Sequence, residues 1–394
     1  MNILFTAYFP PNTGGAETST HTLAKELERR GNKVVVASTG EYPGLKTYTF
    51  RKYSKIPSFR FHKYYLSRFL SGVIKKEKID LVHSQDRLTT IGSITAAKRN
   101  RIPVVVHFRD YWFMCPKSNL LKTSYEQCTS CSYENLLKCS SKKRLPWDMH
   151  KMRSIRSSWG LLESADFKIA ISNSVKEVLK SAGVTKNVKI IPNPINLDLF
   201  SVSHRDRIRK KYGLEGTVVT FVGSISYHKG TDTLKGIIPK ISNGDVSFLI
   251  VGDGPEKKKL MNFVKERNLR NVVFTDGRIP YSQIPGIYSA SDIILFPSRW
   301  QEPFGRIAIE SMASGKPVVA SDIGAIRDIV ENGKTGFLIG SSDIAGWQRS
   351  VRKLVDDRGL RERMGRNGKE VARRKYDVRV IAGEVLRIYK NLTD

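Results

Sequence analysis

No apolar run in this chain approaches the roughly 18 residues that a membrane-crossing helix needs, so no spanning segment is expected. Internal repeats and low-complexity tracts are missing, which sets repeat architectures and disordered tails aside. Cysteine is scarce: Cys115, Cys128, Cys131 and Cys139 are the only four, and they fall within 25 residues. Acidic side chains are in short supply, with 37 Asp+Glu against 67 Lys+Arg and a formal net charge of +30. The opening segment MNILFTAYFPPNTGG lacks a basic region and a cleavage site, and reads as a first strand running into a glycine loop. A cytoplasmic location is expected, with the inner face of the cell membrane as a further option.

The 394 residues, 40% hydrophobic and 26% charged, suffice for two globular domains that each bury a core. Short apolar runs alternate with helix-length amphipathic segments. In the first half they are NILFTAY (2–8), KVVVAS (33–38), IDLVHS (79–84), PVVVHF (103–108), FKIAI (167–171) and VKIIP (188–192). In the second they are TVVTFVG (217–223), VSFLIV (246–251), NVVFT (271–275), DIILFP (292–297) and KPVVAS (316–321). Continuous apolar strands separated by helices indicate α/β architecture, with parallel sheets covered on both faces in two Rossmann-like domains. Turn-forming and charged residues around 196–205 place the boundary, giving domains 1–196 and 197–376 and a last helix over 377–392.

The basic excess peaks at residues 51–101, with 13 basic and 3 acidic side chains mixed with aromatics, as in RKYSKIPSFRFHKYYLSRFL. Such a stretch suits anionic lipid headgroups, an acidic acceptor or nucleic acid, and is also what a plain solvated helix looks like.

Four clusters carry candidate chemistry. Gly14-Gly15-Ala16-Glu17 lies between the first strand and a helix, where glycine permits close backbone approach and a helix N-terminus favours an anion. As an isolated signal it equally marks a tight turn. His107 ends an apolar strand in VHFRDYW (106–112), with Arg109 and Asp110 just beyond; the usual fate of a lone histidine is burial against backbone. In FVGSISYHKG (221–230), Lys229 can neutralise a diphosphate as a point charge beside approaching backbone. In QEPFGRIAIESMASGKPVVAS (301–321), the strand DIILFP leads through a turn into a helix predicted to start near Phe304–Ile307 and to stop at Gly315. Its first N–H groups favour a phosphate, with Glu302 at the mouth and Glu310 about 12 Å further along. No D-x-D sequence suggests a catalytic metal, so activity in the presence of EDTA is expected. The C-x12-C-x2-C-x7-C spacing of Cys115, Cys128, Cys131 and Cys139 can supply four thiolates to a structural zinc; free thiols and disulfides are the other readings.

E-P-F-G-x-x-x-x-E followed by G-K-P-V-V-A-S, together with G-G-A-E, the strand-ending histidine and the loop closing in Lys229-Gly230, resembles the family 4 retaining glycosyltransferases of GT-B fold over nearly the whole chain. The resemblance implies two Rossmann-like domains whose parallel sheets face a central cleft. The N-terminal one would take the acceptor, with the final helix packing back on it, and the C-terminal one the donor. It implies transfer of a hexose-type sugar, with retention, from a UDP- or GDP-linked donor to a hydroxyl of a glycan or lipid-linked acceptor, as in polysaccharide biosynthesis. Same-face attack assisted by the leaving phosphate would carry the reaction, with no cofactor required.

Carried over by residue, His107 lies near the sugar's C6 hydroxyl and Glu302 near its C3 and C4 hydroxyls as the catalytic pair, while Glu310 binds the ribose. Gly15, Gly223, Ser224, Lys229, Gly252, Ile279, Phe304, Gly305 and Arg306 contact the donor; Gly14, Arg109 and Asp110 contact the acceptor. Ser224 stands where the family commonly has arginine, and Arg306 is expected to supply the missing cation. In the family the basic segment often faces the membrane, so peripheral contact with an anionic membrane is favoured, and nucleic acid is not expected because no binding motif is found. A nucleotide-sugar epimerase or phosphorylase of the same fold, a non-catalytic nucleotide-sugar sensor and a nucleic-acid-binding protein are the alternatives.

Overall fold

Two parallel sheets organise the chain in this computed structural model, which describes residues 1–11, 14–50, 59–128, 130–202, 204–241 and 245–394, with backbone only at 59–62. The basic segment's residues 51–58 lie outside the described residues. Two units result, Met1–Pro194 with Val378–Asp394, and Ile195–Asp377.

In the first unit β1 (Asn2–Thr6), β2 (Lys33–Ser38), β3 (Lys46–Thr49), β4 (Leu81–Ser84), β5 (Val104–Phe108), β6 (Phe167–Ala170) and β7 (Val188–Ile190) form a seven-stranded sheet of order β3-β2-β1-β4-β5-β6-β7. In the second, β8 (Thr217–Val222), β9 (Val246–Val251), β10 (Val272–Phe274), β11 (Ile293–Phe296), β12 (Val318–Ser321) and β13 (Gly336–Ile339) form a six-stranded sheet of order β10-β9-β8-β11-β12-β13. Every pairing among the named strands is parallel. Strands covered on both faces have no polar side to show, which is why β9 reads VSFLIV and is buried at every position.

The apolar pattern predicts every strand except β3 and β13. Both are edge strands of four residues, KTYT and GFLI, partly exposed and defined by pairing with one neighbour rather than by apolar burial. The strand order reverses between β1 and β4 and between β8 and β11, and in open parallel sheets such switch points leave a crevice at the strands' C-terminal ends.

The final helix, Val378–Thr393, belongs to the first unit. Its Ile381, Ala382, Val385, Ile388 and Tyr389 share a core with Leu23, Ala24 and Leu27 of helix Gly15–Arg29 and with Ile3 and Phe5 of β1. Full burial of side chains of this size contributes about 1.5–3 kcal/mol each. Arg30 Nη2 adds a 2.5 Å hydrogen bond to the Arg379 carbonyl. At the opposite edge Glu77, last residue of helix Phe59–Glu77, ties β2 and β3 down by accepting from Lys33 Nζ at 2.9 Å, Lys46 Nζ at 2.7 Å and the Tyr48 hydroxyl. Those hydrogen bonds, Lys46's first, pull its carboxyl down to about 2.

Candidate active site

In the first unit the candidate residues gather where β1, β4 and β5 end. Gly14 is the extended N-cap of helix Gly15–Arg29, with no side-chain cap, and Gly15 opens the helix. Asp86 follows β4 and caps helix Arg87–Asn100, accepting from Leu88 N at 2.8 Å and Thr89 N at 3.1 Å. Its other oxygen accepts from Tyr8 N at 2.5 Å, while burial raises its carboxyl to about 6. Asp110 accepts from Trp112 N at 2.7 Å, and burial first, with the charges of Asp86 and Glu17 adding, raises it to about 7. Arg87 opposes that rise. Three carboxylates, Glu17, Asp86 and Asp110, therefore share one field inside a protein of net charge +30.

His107 and Arg109 are buried rather than solvent-facing. Arg109 donates to Gln85 Oε1 from Nε at 3.1 Å and from Nη2 at 2.7 Å, to Asn193 Oδ1 from Nη1, and to His107 Nδ1 at 3.4 Å. A guanidinium desolvated to this degree takes up the nearest fixed oxygens.

In the second unit β8 runs into Gly223 and exposed Ser224, and β9 into Gly252. A Cβ on Gly252, at φ 132°, would lie 2.0 Å from the Gly223 carbonyl, so glycine there lets the two loops cross. Lys229 ends a short 3-10 turn, Tyr227–Lys229, and its Nζ lies 2.5 Å from Glu302 Oε1. The same oxygen accepts from Ser298 Oγ at 2.7 Å and Trp300 Nε1 at 2.8 Å. Glu302's backbone is held as well: its carbonyl accepts from Ala325 N at 3.0 Å, and a Cβ on Gly324 would come within 2.7 Å of it.

Gly305 caps helix Arg306–Ala313, which carries Glu310 on a buried face. Glu310 accepts from Arg306 Nε at 2.7 Å and from the Tyr288 hydroxyl at 3.1 Å. Arg306 Nη2 reaches the Tyr281 hydroxyl at 2.5 Å and its guanidinium stands 5.0 Å from that ring's centre. Burial, followed by the Glu310 charge, pushes both tyrosines upward. Phe304, expected at the donor, is buried with its ring centre 6.2 Å from that of Tyr376. Ile279 is half-buried in the loop after β10.

The description Glycosyl transferases group 1 matches residues 204–371, and Glycosyltransferase Family 4 matches residues 13–199. An uncharacterized glycosyltransferase of Methanocaldococcus jannaschii is 25% identical over all of this chain and 99% of its own length. The sulfoquinovosyl transferase of Arabidopsis thaliana is 26% identical over 91% of this chain and 67% of its own. Among solved structures, Anabaena HepE in complex with UDP and glucose superposes with a TM-score of 0.76 at 22% identity over the full length of both chains.

The chain belongs to the GT-B glycosyltransferases of family 4 type.

In this glycosyltransferase none of the four cysteines is in a disulfide, and all four are buried. Among the described residues no group of three or more His, Cys, Asp or Glu side chains is arranged to hold a metal ion. Cys131 and Cys139 pack with Leu136 and Met152, and burial first, with the charges of Cys115 and Cys139 adding, lifts the Cys131 thiol to about 12. No helix among the described residues is long and apolar enough to cross a membrane.

Sequence reasoning missed the partners of the glycosyltransferase's charged residues: Gln85 and Asn193 on Arg109, Ser298 and Trp300 on Glu302, Tyr281 and Tyr288 around Arg306 and Glu310. Ser298 and Trp300, four and two residues before Glu302, are the partners near in sequence.

Proposed function

We propose that this chain moves a hexose-type sugar from a UDP- or GDP-linked donor to a hydroxyl of a glycan or lipid-linked acceptor, with retention of configuration. The observation that carries this reading is the Glu302 carboxylate, held by Lys229, Ser298 and Trp300 just ahead of the helix that bears Glu310. Lys229 and the N-terminus of that helix supply positive potential where a leaving diphosphate gathers charge. Glu302 would meet the sugar hydroxyls, and Glu310, already oriented by Arg306 and Tyr288, a ribose. Retention follows if the acceptor attacks from the face the phosphate leaves, giving its proton to that phosphate, so neither a protein nucleophile nor a cofactor is required. The neighbour that binds UDP and glucose supports a nucleotide-sugar donor.

Peripheral contact with an anionic membrane belongs to the same proposal. Tyr64 and Tyr65 are exposed beside Arg68 on helix Phe59–Glu77, as interfacial aromatics and a basic side chain would be. Cosedimentation with anionic but not zwitterionic vesicles is the expected behaviour.

Thermal-shift and calorimetric titration with UDP, GDP, ADP and their sugars tests the donor. Selective binding of one nucleotide, lost in Glu310→Ala, is expected; tight salt-dependent binding to nucleic acid with no nucleotide response would refute the proposal.

A further inference from the structure

His83 on β4 and His107 on β5 lie with rings stacked, centres 5.4 Å apart and 9° from parallel, and both are fully buried. The hydroxyl of Tyr389, from the final helix, sits 2.5 Å from His83 Nδ1. Arg109 Nη2 stands 3.4 Å from His107 Nδ1, and Gln85 and Asn193 hold the guanidinium in place. A guanidinium has donors only and keeps its charge throughout the working pH range. His107 Nδ1 is therefore the accepting nitrogen. Burial, with the Arg109 charge adding to it, keeps the His107 ring neutral by moving its pKa well below 6.5. A neutral ring that accepts at Nδ1 carries its proton on Nε2. That Nε2 is buried and has no hydrogen-bond partner among the described residues.

We propose that Arg109 is a positioning residue that locks His107 as a neutral Nε2–H donor, the form in which it would meet an oxygen of a bound donor sugar, taking no part in proton exchange. The sugar as recipient rests on the transferase reading above; the locked tautomer does not. The chemistry favours such a group. A glycosyl centre gains positive charge as its bond to phosphate breaks, so an imidazolium beside it would oppose the reaction, whereas a neutral N–H orients a hydroxyl oxygen without that repulsion. Arg109 and His83 are the charged or titratable groups that act on His107, and the Tyr389 hydroxyl anchors His83.

Nitrogen-15 imidazole NMR of the full chain, with His107→Gln to assign the signal, is the test. The expected spectrum shows His107 protonated at Nε2 and bare at Nδ1, unchanged between about pH 5.5 and 8.5. Protonation at Nδ1, or a titration inside that range, overturns the inference. In Arg109→Met both tautomers are expected, with kcat lowered by about tenfold or more and KM little changed. A properly folded Arg109→Met protein that keeps the single Nε2–H tautomer also overturns it. If that variant does not fold, the wild-type spectrum decides. UDP-glucose and GDP-mannose separate the two claims: calorimetric binding that leaves the Nε2–H resonance unmoved overturns the sugar contact and spares the donor assignment. Failure of any nucleotide sugar to bind strikes the transferase reading, while the tautomer is still judged on the free protein.

Discussion

Lys229 Nζ lies 2.5 Å from Glu302 Oε1, joining a loop that follows β8 to a turn that follows β11. The two residues are 73 positions apart in the chain, and the carboxylate is nearly buried. Either charge without the other would be left desolvated and unpaired, so the two act as a unit.

Lys229→Met is expected to lower kcat/KM by about 10²–10³-fold, the scale for losing one preorganised charge at a developing anion. Glu302→Gln should cost a comparable factor, and the double variant less than the product of the two. Steady-state kinetics on the four proteins measure this; strictly multiplicative losses would show that the pair does not function together.

Arg306→Ala removes the Nε donor at 2.7 Å from Glu310 and leaves that buried carboxylate with the hydroxyls of Tyr288 and Tyr281. A loss of roughly 1–3 kcal/mol in stability is expected, the cost of an unsatisfied buried polar group, together with weaker nucleotide binding. Tyr288→Phe should have a smaller effect in the same direction. Urea denaturation and calorimetry separate the two quantities, and nucleotide affinity unchanged in Arg306→Ala would remove Arg306 from the donor site.

Asp110 sits at about 7 against an ordinary 3.8, which means that the folded state holds a proton the unfolded chain has released. Its contribution to stability is complete below 3.8 and is lost as pH rises through about 7. Asp110→Asn is therefore expected to match wild type in acid and to exceed it progressively up to pH 7, levelling off above. Denaturation midpoints collected from pH 4 to 8.5 check the trend; a constant difference across that range contradicts it.

Glu77 behaves in the opposite sense, with a folded value of about 2 against 4.5. Its stabilisation is present above 4.5 and disappears as pH falls through about 2. Glu77→Gln should lower the melting temperature at pH 7 and lose that effect towards pH 2. Hydrogen exchange is expected to quicken first in β3, the edge strand that Glu77 holds through Lys46 and Tyr48.

Much of the fold is written locally. The runs KVVVAS and VSFLIV have the unbroken apolar character of strands covered on both faces, and they become β2 and β9. The helix stop after Ser314 is equally local, since Gly315 takes φ 67°, a conformation glycine adopts without strain. KTYT and GFLI carry no such mark. An edge strand exists because a neighbour offers it hydrogen bonds, and that neighbour is known only once the sheet is assembled.

The sequence by itself determined the α/β alternation, the glycine loops and the order in which His107, Lys229, Glu302 and Glu310 occur, because backbone preference and apolar periodicity act over a few residues. Only the tertiary structure decided what each charge does. Arg109 turns inward to Gln85, Asn193 and His107, Arg306 is taken by Glu310 and Tyr281, and His83 meets a tyrosine 306 residues away. Desolvation makes those partnerships compulsory, and which groups lose water together is settled by packing between distant segments, a quantity that no local window of sequence contains.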